Sequence, residues 1–128
     1  MLALVIVLDQ FSRNLYRADA RAFAQDAHAL ACAREALARG DDAALLPVER
    51  QFLYMPFEHS EDIADQDRVV ELMTSLEAFE PTRGLAQWAE RHRAVIRRFG
   101  RFPHRNAVLG RASTPGETEF LKEPGSSF

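Results

Sequence analysis

Seven apolar residues in succession, Leu2 to Leu8, give way to Asp9-Gln10 and then Arg13-Asn14. This pattern predicts a first helix over 2–17 that is apolar nearly all round, as helices inside bundles are, and then turns polar at its end. Phe23, Ala27, Leu30, Ala31, Arg34 and Leu37 trace a helical stripe, so a second helix is predicted over 19–39, with Asp19 as N-cap and Gly40 as its stop. Pro47 fits the first position of a third helix, 47–57, disturbed by Pro56. Ser60 is placed to cap a fourth, 61–78, with Glu61 and Asp62 in its first turn. The clearest stripe, Leu85, Trp88, Ala89, His92, Ile96 and Phe99, predicts a fifth helix over 84–99 that ends at Gly100. Thr114-Pro115-Gly116-Glu117 reads as a capping box opening a short last helix. No segment alternates with period two. The expected fold is therefore all-α, built of antiparallel helix pairs joined by short loops.

A chain of 128 residues fits a single domain, 1–128, large enough to bury a core without disulfides. The net charge of −3 argues against a protein that coats nucleic acid. Seven arginines between Arg91 and Arg111 interleave with Phe99 and Phe102, a mixture that also occurs in single-strand binders, but acids balance them. The lone Cys32 sits among alanines and reads as a packed thiol, so neither a disulfide nor a Cys-x-x-Cys metal site is expected. The run from Leu2 to Leu8 is far short of the roughly 20 residues that span a bilayer, and nothing around it resembles a signal peptide. The expected location is cytoplasmic, without membrane contact.

Two strings concentrate polar chemistry. Arg98 to Asn106 packs Arg98, Arg101, His104, Arg105 and Asn106 around Gly100 and Pro103, on a stiff connection of the kind that often carries function. Glu49 to Asp62 contains Tyr54, Glu58 and His59. Arginine forks match carboxylate and phosphate geometry, so Arg98, Arg101 and Arg105 are candidates to hold an anion. The same arginines would also serve as buried ion-pair partners of Glu58, Glu61 and Asp62. His59, beside Glu58, and His104 are candidate general bases, with Glu58 or Asp9 as orienter. His92, on an apolar stripe, reads as a core or supporting residue, and His28 as a surface one. His59, His104, Asp9 and Glu58 could be imagined around a metal, but no His-Glu-x-x-His or Glu-x-x-His pair marks a metal helix, so neither metal nor cofactor is expected. No Gly-x-Ser-x-Gly supports a serine nucleophile.

Leu8 to Asn14, Arg21 to Asp26, Glu49 to Asp62, and Arg98 to Asn106 with Leu109-Gly110-Arg111 and Ser113-Thr114-Pro115 together resemble the bacterial family called domain of unknown function 924. The resemblance covers almost the whole chain in order. It implies a superhelix of the tetratricopeptide-repeat type, and it implies more helical sequence ahead of the Leu-Asp-Gln-Phe motif, so the chain is expected to lack its N-terminal part. The uncovered apolar face of the first helix would then favour a homo-oligomer. A proline usual in that motif is Ser12 here. The family supplies no activity. Its motif residues in this chain include Asp9, Arg13, Asn14, Tyr54, Glu58, His59, Arg98, Arg101, His104, Arg105 and Asn106. The leading expectation is a helical binding protein whose Arg/His/Glu pocket takes an anionic small molecule or peptide. One rival is a hydrolase-type enzyme using His59 or His104 as base. The other is an interaction module whose polar strings are buried structural networks. The two functional readings differ in geometry: an enzyme needs a base within hydrogen-bond reach of an orienting carboxylate, beside an enclosed cavity.

Overall fold

Proline and glycine divide the chain close to where its pattern breaks. In the computed structural model, which describes residues 1–128, the elements are α1 (Leu2–Ile6), a π-helical turn (Val7–Phe11), α2 (Ser12–Leu15), α3 (Asp26–Arg39), α4 (Pro47–Glu58), α5 (Ile63–Thr74), α6 (Leu85–Phe99) and α7 (Pro115–Leu121). Short 3₁₀ turns connect them, and no strand forms. Pro47 stands at the first position of α4, Gly40 and Gly100 end α3 and α6 in the left-handed conformation, and Thr114 and Glu117 close the capping box of α7. No helix is long and apolar enough to cross a membrane.

Four expectations shift. The second helix begins at Asp26, because the Asp19 carboxylate accepts from the Arg21 N–H at 2.8 Å and so caps a three-residue turn (Ala20–Ala22) instead. Its buried face is Ala29, Cys32, Ala33 and Ala36, while Ala27, Ala31 and Arg34 of the predicted stripe face outward. Small side chains line the side where α3 meets α1 and α4. The cap of α5 is Asp62, which accepts from the Ala64 N–H at 2.8 Å, while Ser60 donates its hydroxyl to Asp65. The first helix is not buried all round. It packs on α3 and α4 through Val5, Leu2 and Leu8, and its opposite side stays open, with Phe11 52% and Leu15 72% exposed.

The main core joins Val5, Cys32, Leu53, Tyr54, Phe57, Val69, Met73 and Leu76 between α1, α3, α4, α5 and the turn after α5. A smaller cluster of Val95, Ile96 and Phe102 packs the end of α6 against the loop that follows. The α4–α5 corner, which carries the Glu58-His59-Ser60 string, is fastened by fully buried Gln66. Its side-chain amide donates to the Glu58 and Ser60 carbonyls at 2.8 and 2.7 Å, satisfying acceptors that the end of α4 leaves open. Ala18, just past α2, is held at φ +58°, a left-handed conformation that a Cβ opposes. An Ala18→Gly exchange should raise the unfolding free energy by about 0.5–1 kcal/mol, measured by urea denaturation.

Candidate functional site

The π turn is the first element of the site. It inserts one extra residue into the helix, a device often found where function is. Asp9 lies within it, 1% exposed, and turns toward the α4–α5 corner. There its Oδ1 accepts from His59 Nδ1 at 2.7 Å and from Arg13 Nη1 at 3.1 Å, while Oδ2 accepts from Gln10 Nε2 at 2.6 Å. Burial alone would raise the Asp9 carboxyl. The His59 bond, together with the charges of His59 and Arg13, outweighs it and holds Asp9 below the usual carboxylate range. Burial lowers His59 more than the Asp9 charge restores it. The pair is therefore an ionised carboxylate and a neutral imidazole. An ionised carboxylate only accepts, so the proton sits on Nδ1, and Nε2, which makes no hydrogen bond to the protein, keeps its lone pair.

His59 lines a cavity of about 190 Å³ together with Gln10, Arg13, Phe23, Met55, Glu58, Trp88, His92, Phe102, His104, Arg105 and Phe128. It also borders a more open groove of about 410 Å³, which shares Phe23 and Arg105 with the cavity. Glu58, 2% exposed, has a buried Oε1 with no hydrogen-bond partner. Burial, reinforced by the Asp9 charge, pushes its carboxyl up to about 8, so it is protonated at neutral pH. His92 donates from Nδ1 to the Trp88 carbonyl at 3.0 Å, and burial pushes it down to about 4. His104 is also pushed to about 4, by burial and then by neighbouring Arg105, and its Nδ1 is buried without a partner. Arg105 is sandwiched between the Phe23 and Phe102 rings, with Cζ 4.6 and 4.7 Å from their centroids. Its Nη2 donates to the His59 carbonyl at 2.9 Å, its Nη1 lies 3.8 Å from Asp26, and its Nε is buried and unpartnered. Burial lowers it to about 10, still charged at neutral pH. Arg13 binds Asp26 through both Nη atoms, at 2.7 and 2.9 Å.

Four buried side-chain polar atoms lack partners, and three of them, on Glu58, His104 and Arg105, belong to this one lining. Such atoms are rare in native interiors and each calls for a reason. The two cations of the lining, Arg13 and Arg105, are offset by Asp9 and Asp26, which stand behind it, and the other titratable groups of the lining are neutral. No cluster of histidine, cysteine and carboxylate side chains has the geometry to hold a metal.

Of the sequence candidates, the fold brings Arg13, Glu58, His59, His104 and Arg105 to the cavity, with Asp9 bonded to His59 behind it, and takes five elsewhere. The Tyr54 hydroxyl donates to Asp42 at 2.6 Å, pinning the turn between α3 and α4. A Tyr54→Phe exchange should cost about 1–2 kcal/mol of stability in urea denaturation and leave any activity intact. Asn14 is exposed beside Arg17. Arg98 is exposed over Phe99 and Phe120. Arg101 forks onto Glu117 at 2.9 and 2.7 Å, and Asn106 joins the same carboxylate, Ser113 and Arg111. Those bonds, with the Thr114 cap, hold Glu117 well below the ordinary glutamate range. Arg111 reaches Glu61 at 2.9 Å, and Glu61 in turn accepts from the Phe102 N–H. The second half of the Arg98–Asn106 string is thus a structural lock that presents His104 and Arg105. The three-arginine clamp does not assemble. The sequence pattern places His92 with the core, and nothing in it marks Gln10, Phe23, Trp88 or Phe128 as lining. Position on the fifth stripe is the one signal that could have found His92 and Trp88, since they lie one turn apart on the same face.

A family model described as bacterial protein of unknown function (DUF924) matches residues 1–125. A solved structure of a protein of unknown function from Agrobacterium tumefaciens is similar with a TM-score of 0.85 and 46% identity, covering 94% of this chain. The chain spans 66% of that protein's length. Comparison with curated proteins gives no match.

Proposed function

The chain belongs to the DUF924 family, and from that premise we propose that the cavity is an active site for general acid–base hydrolysis of a small substrate, with His59 as base, Asp9 as its orienter and Glu58 as acid. The observation that carries this reading is the 2.7 Å bond between Asp9 and His59 Nδ1, which leaves Nε2 without a protein hydrogen bond on a residue that lines a partly open cavity. A water placed between Nε2 and an ester or amide carbonyl would give its proton to Nε2 as its oxygen attacks the carbonyl carbon. The Asp9 charge would stabilise the imidazolium so formed. The Glu58 carboxyl would then donate its proton to the leaving oxygen or nitrogen as the bond to carbon breaks. Afterwards the imidazolium proton passes to the Glu58 carboxylate by way of solvent, restoring both groups. The unpartnered Arg105 Nε–H is a donor for the charge that develops on the carbonyl oxygen.

The cavity is small against the roughly 300–1,000 Å³ of sites for drug-sized ligands. The pairing of its two arginines with Asp9 and Asp26 favours a neutral substrate over the anion that the arginine-rich string suggested. The test is a hydrolysis screen of small esters and amides between pH 5 and 9, read by product formation. Turnover that disappears in His59→Ala supports the proposal. The absence of turnover for every compound shown to bind would sink it, and the cavity would then be a binding site alone.

A further inference from the structure

One wall of the cavity is built of rings. The Phe128 ring stacks on His92, with centroids 4.0 Å apart and planes 28° from parallel. Trp88, Phe102 and His104 meet the same ring edge-on at 5.7, 5.9 and 5.8 Å. These are the offset-stacked and edge-to-face arrangements that aromatic quadrupoles prefer. Four rings from α6 and the loop after it thus form a box, and a single ring fills it.

The segment that supplies this ring is tethered by few hydrogen bonds. The hydrogen bonds of residues Pro124 to Phe128 run from the Ser126 hydroxyl to the Leu121 carbonyl and from the Ser126 N–H to the Glu123 carbonyl, both within the local chain. None reaches the walls of the cavity. The box, by contrast, is fixed: His92 is pinned to the Trp88 carbonyl, and Phe102 is fully buried with its backbone N–H bound to Glu61. A fixed ring seat, whose occupant is held by ring contacts and by no hydrogen bond, adjoins His59 in one cavity, whose lining carries unsatisfied polar atoms and two arginines already paired with carboxylates behind it.

We infer that this box is the ring subsite of the cavity, that it takes the aromatic ring of a small uncharged molecule, and that Phe128 occupies it until such a molecule displaces the segment. The inference deepens the acid–base reading by naming its substrate class. A polar substituent on a ring in the box has the unpartnered groups of Glu58, His104 and Arg105 in the same lining, while a charged one would have to leave water for a cavity whose two arginines are already paired with carboxylates.

Benzamide is a suitable probe, because it joins a ring to a neutral group that both donates and accepts hydrogen bonds. Trp88, the single tryptophan of the chain, stands 5.7 Å from Phe128 and reports occupancy by its fluorescence. Phe128→Ala should bind benzamide about tenfold more tightly than the unaltered protein, because the probe no longer competes with a stacked ring. Benzoate should bind the same variant more weakly than benzamide. Equal or weaker benzamide binding by Phe128→Ala, no binding by either protein, or a preference for benzoate overturns the inference. Should Phe128→Ala fold poorly, amide resonances of the unaltered protein decide: saturating benzamide should sharpen those of Ser127 and Phe128 as the segment is released, and unchanged resonances overturn it. The His59→Ala variant separates this proposal from the acid–base one, for it should keep benzamide affinity within about twofold while losing turnover. Retained ring binding without any hydrolysis would count against the chemistry and for the subsite.

Discussion

Exchange of His59 for alanine should lower hydrolytic turnover by about 10²–10⁴-fold, the range that a positioned general base contributes. The fold should survive, because His59 lies past the end of α4 and its corner is fastened by Gln66 through backbone carbonyls. Asp9→Asn should be milder. Asparagine with its oxygen at the Oδ1 position still accepts from His59 Nδ1 and Arg13 and so preserves the tautomer, but its amide nitrogen then meets the Gln10 Nε2 donor, so the exchange removes the charge that steadies the imidazolium and also one acceptor. The pH profile carries a further sign. His59 must be neutral to act, and burial sets its pKa below the ordinary 6.5, so the acid limb should lie below that value. Glu58 must be protonated, and its carboxyl sits at about 8, so the rate should fall as pH rises through 8. In Glu58→Gln the alkaline limb should vanish along with most of the rate. A His59→Ala enzyme with undiminished turnover would remove the base from the mechanism, and a rate that keeps climbing through pH 9 would remove the acid.

The parts of this site that are local in sequence were legible, and the parts made by long-range packing were not. Asp9 and Arg13 lie one helical turn apart, so their pairing follows from spacing alone. The partnership of Asp9 with His59 spans fifty positions and depends on α1 packing against α4 and on a π turn that no local pattern announces. Arg98, Arg101 and Asn106 have the composition of a binding loop, yet the acid that engages Arg101 and Asn106 is Glu117. Its place in the capping box of α7 was readable, but its distance from Arg101 was not. His92 shows the limit of stripe reasoning. It does lie on the buried face of α6, 3% exposed, but that face looks into a cavity instead of a filled core. All-helical architecture followed from periodicity and stop signals. Helix starts were less secure, because Asp19 and Ser60 are good capping residues that the fold uses for a 3₁₀ turn and for a bond to Asp65.

Glu58→Gln should make the protein more stable at pH 8.5 and change it little at pH 4.5. In the unfolded chain Glu58 ionises near its ordinary 4.5, and in the fold only near 8. A raised carboxyl stabilises fully below 4.5 and loses that contribution as pH rises through 8, because only the unfolded state gains from ionising. The interval of about 3.5 pH units, at about 1.36 kcal/mol each, sets a ceiling of about 5 kcal/mol. Water entry and relaxation around the carboxylate reduce it, so a difference of at least about 2 kcal/mol is expected between variant and parent at pH 8.5. The cavity histidines act in the opposite direction. His92 and His104 are held near 4, below their ordinary 6.5, so they destabilise the fold as pH falls from 6.5 toward 4. They are common to both proteins and cancel in the comparison, which urea denaturation at pH 4.5, 6.5 and 8.5 would read. A parent and variant that keep the same stability difference across this range would mean that Glu58 ionises in the fold as it does in water, and the acid assigned to it would be lost. Asp9 supplies the test of cause, because its charge is the second reason Glu58 stays protonated. In an Asp9→Asn background the benefit of Glu58→Gln at pH 8.5 should shrink, since Glu58 is then free to ionise at lower pH. A benefit of unchanged size would leave burial as the sole cause and would uncouple the acid from the Asp9–His59 pair.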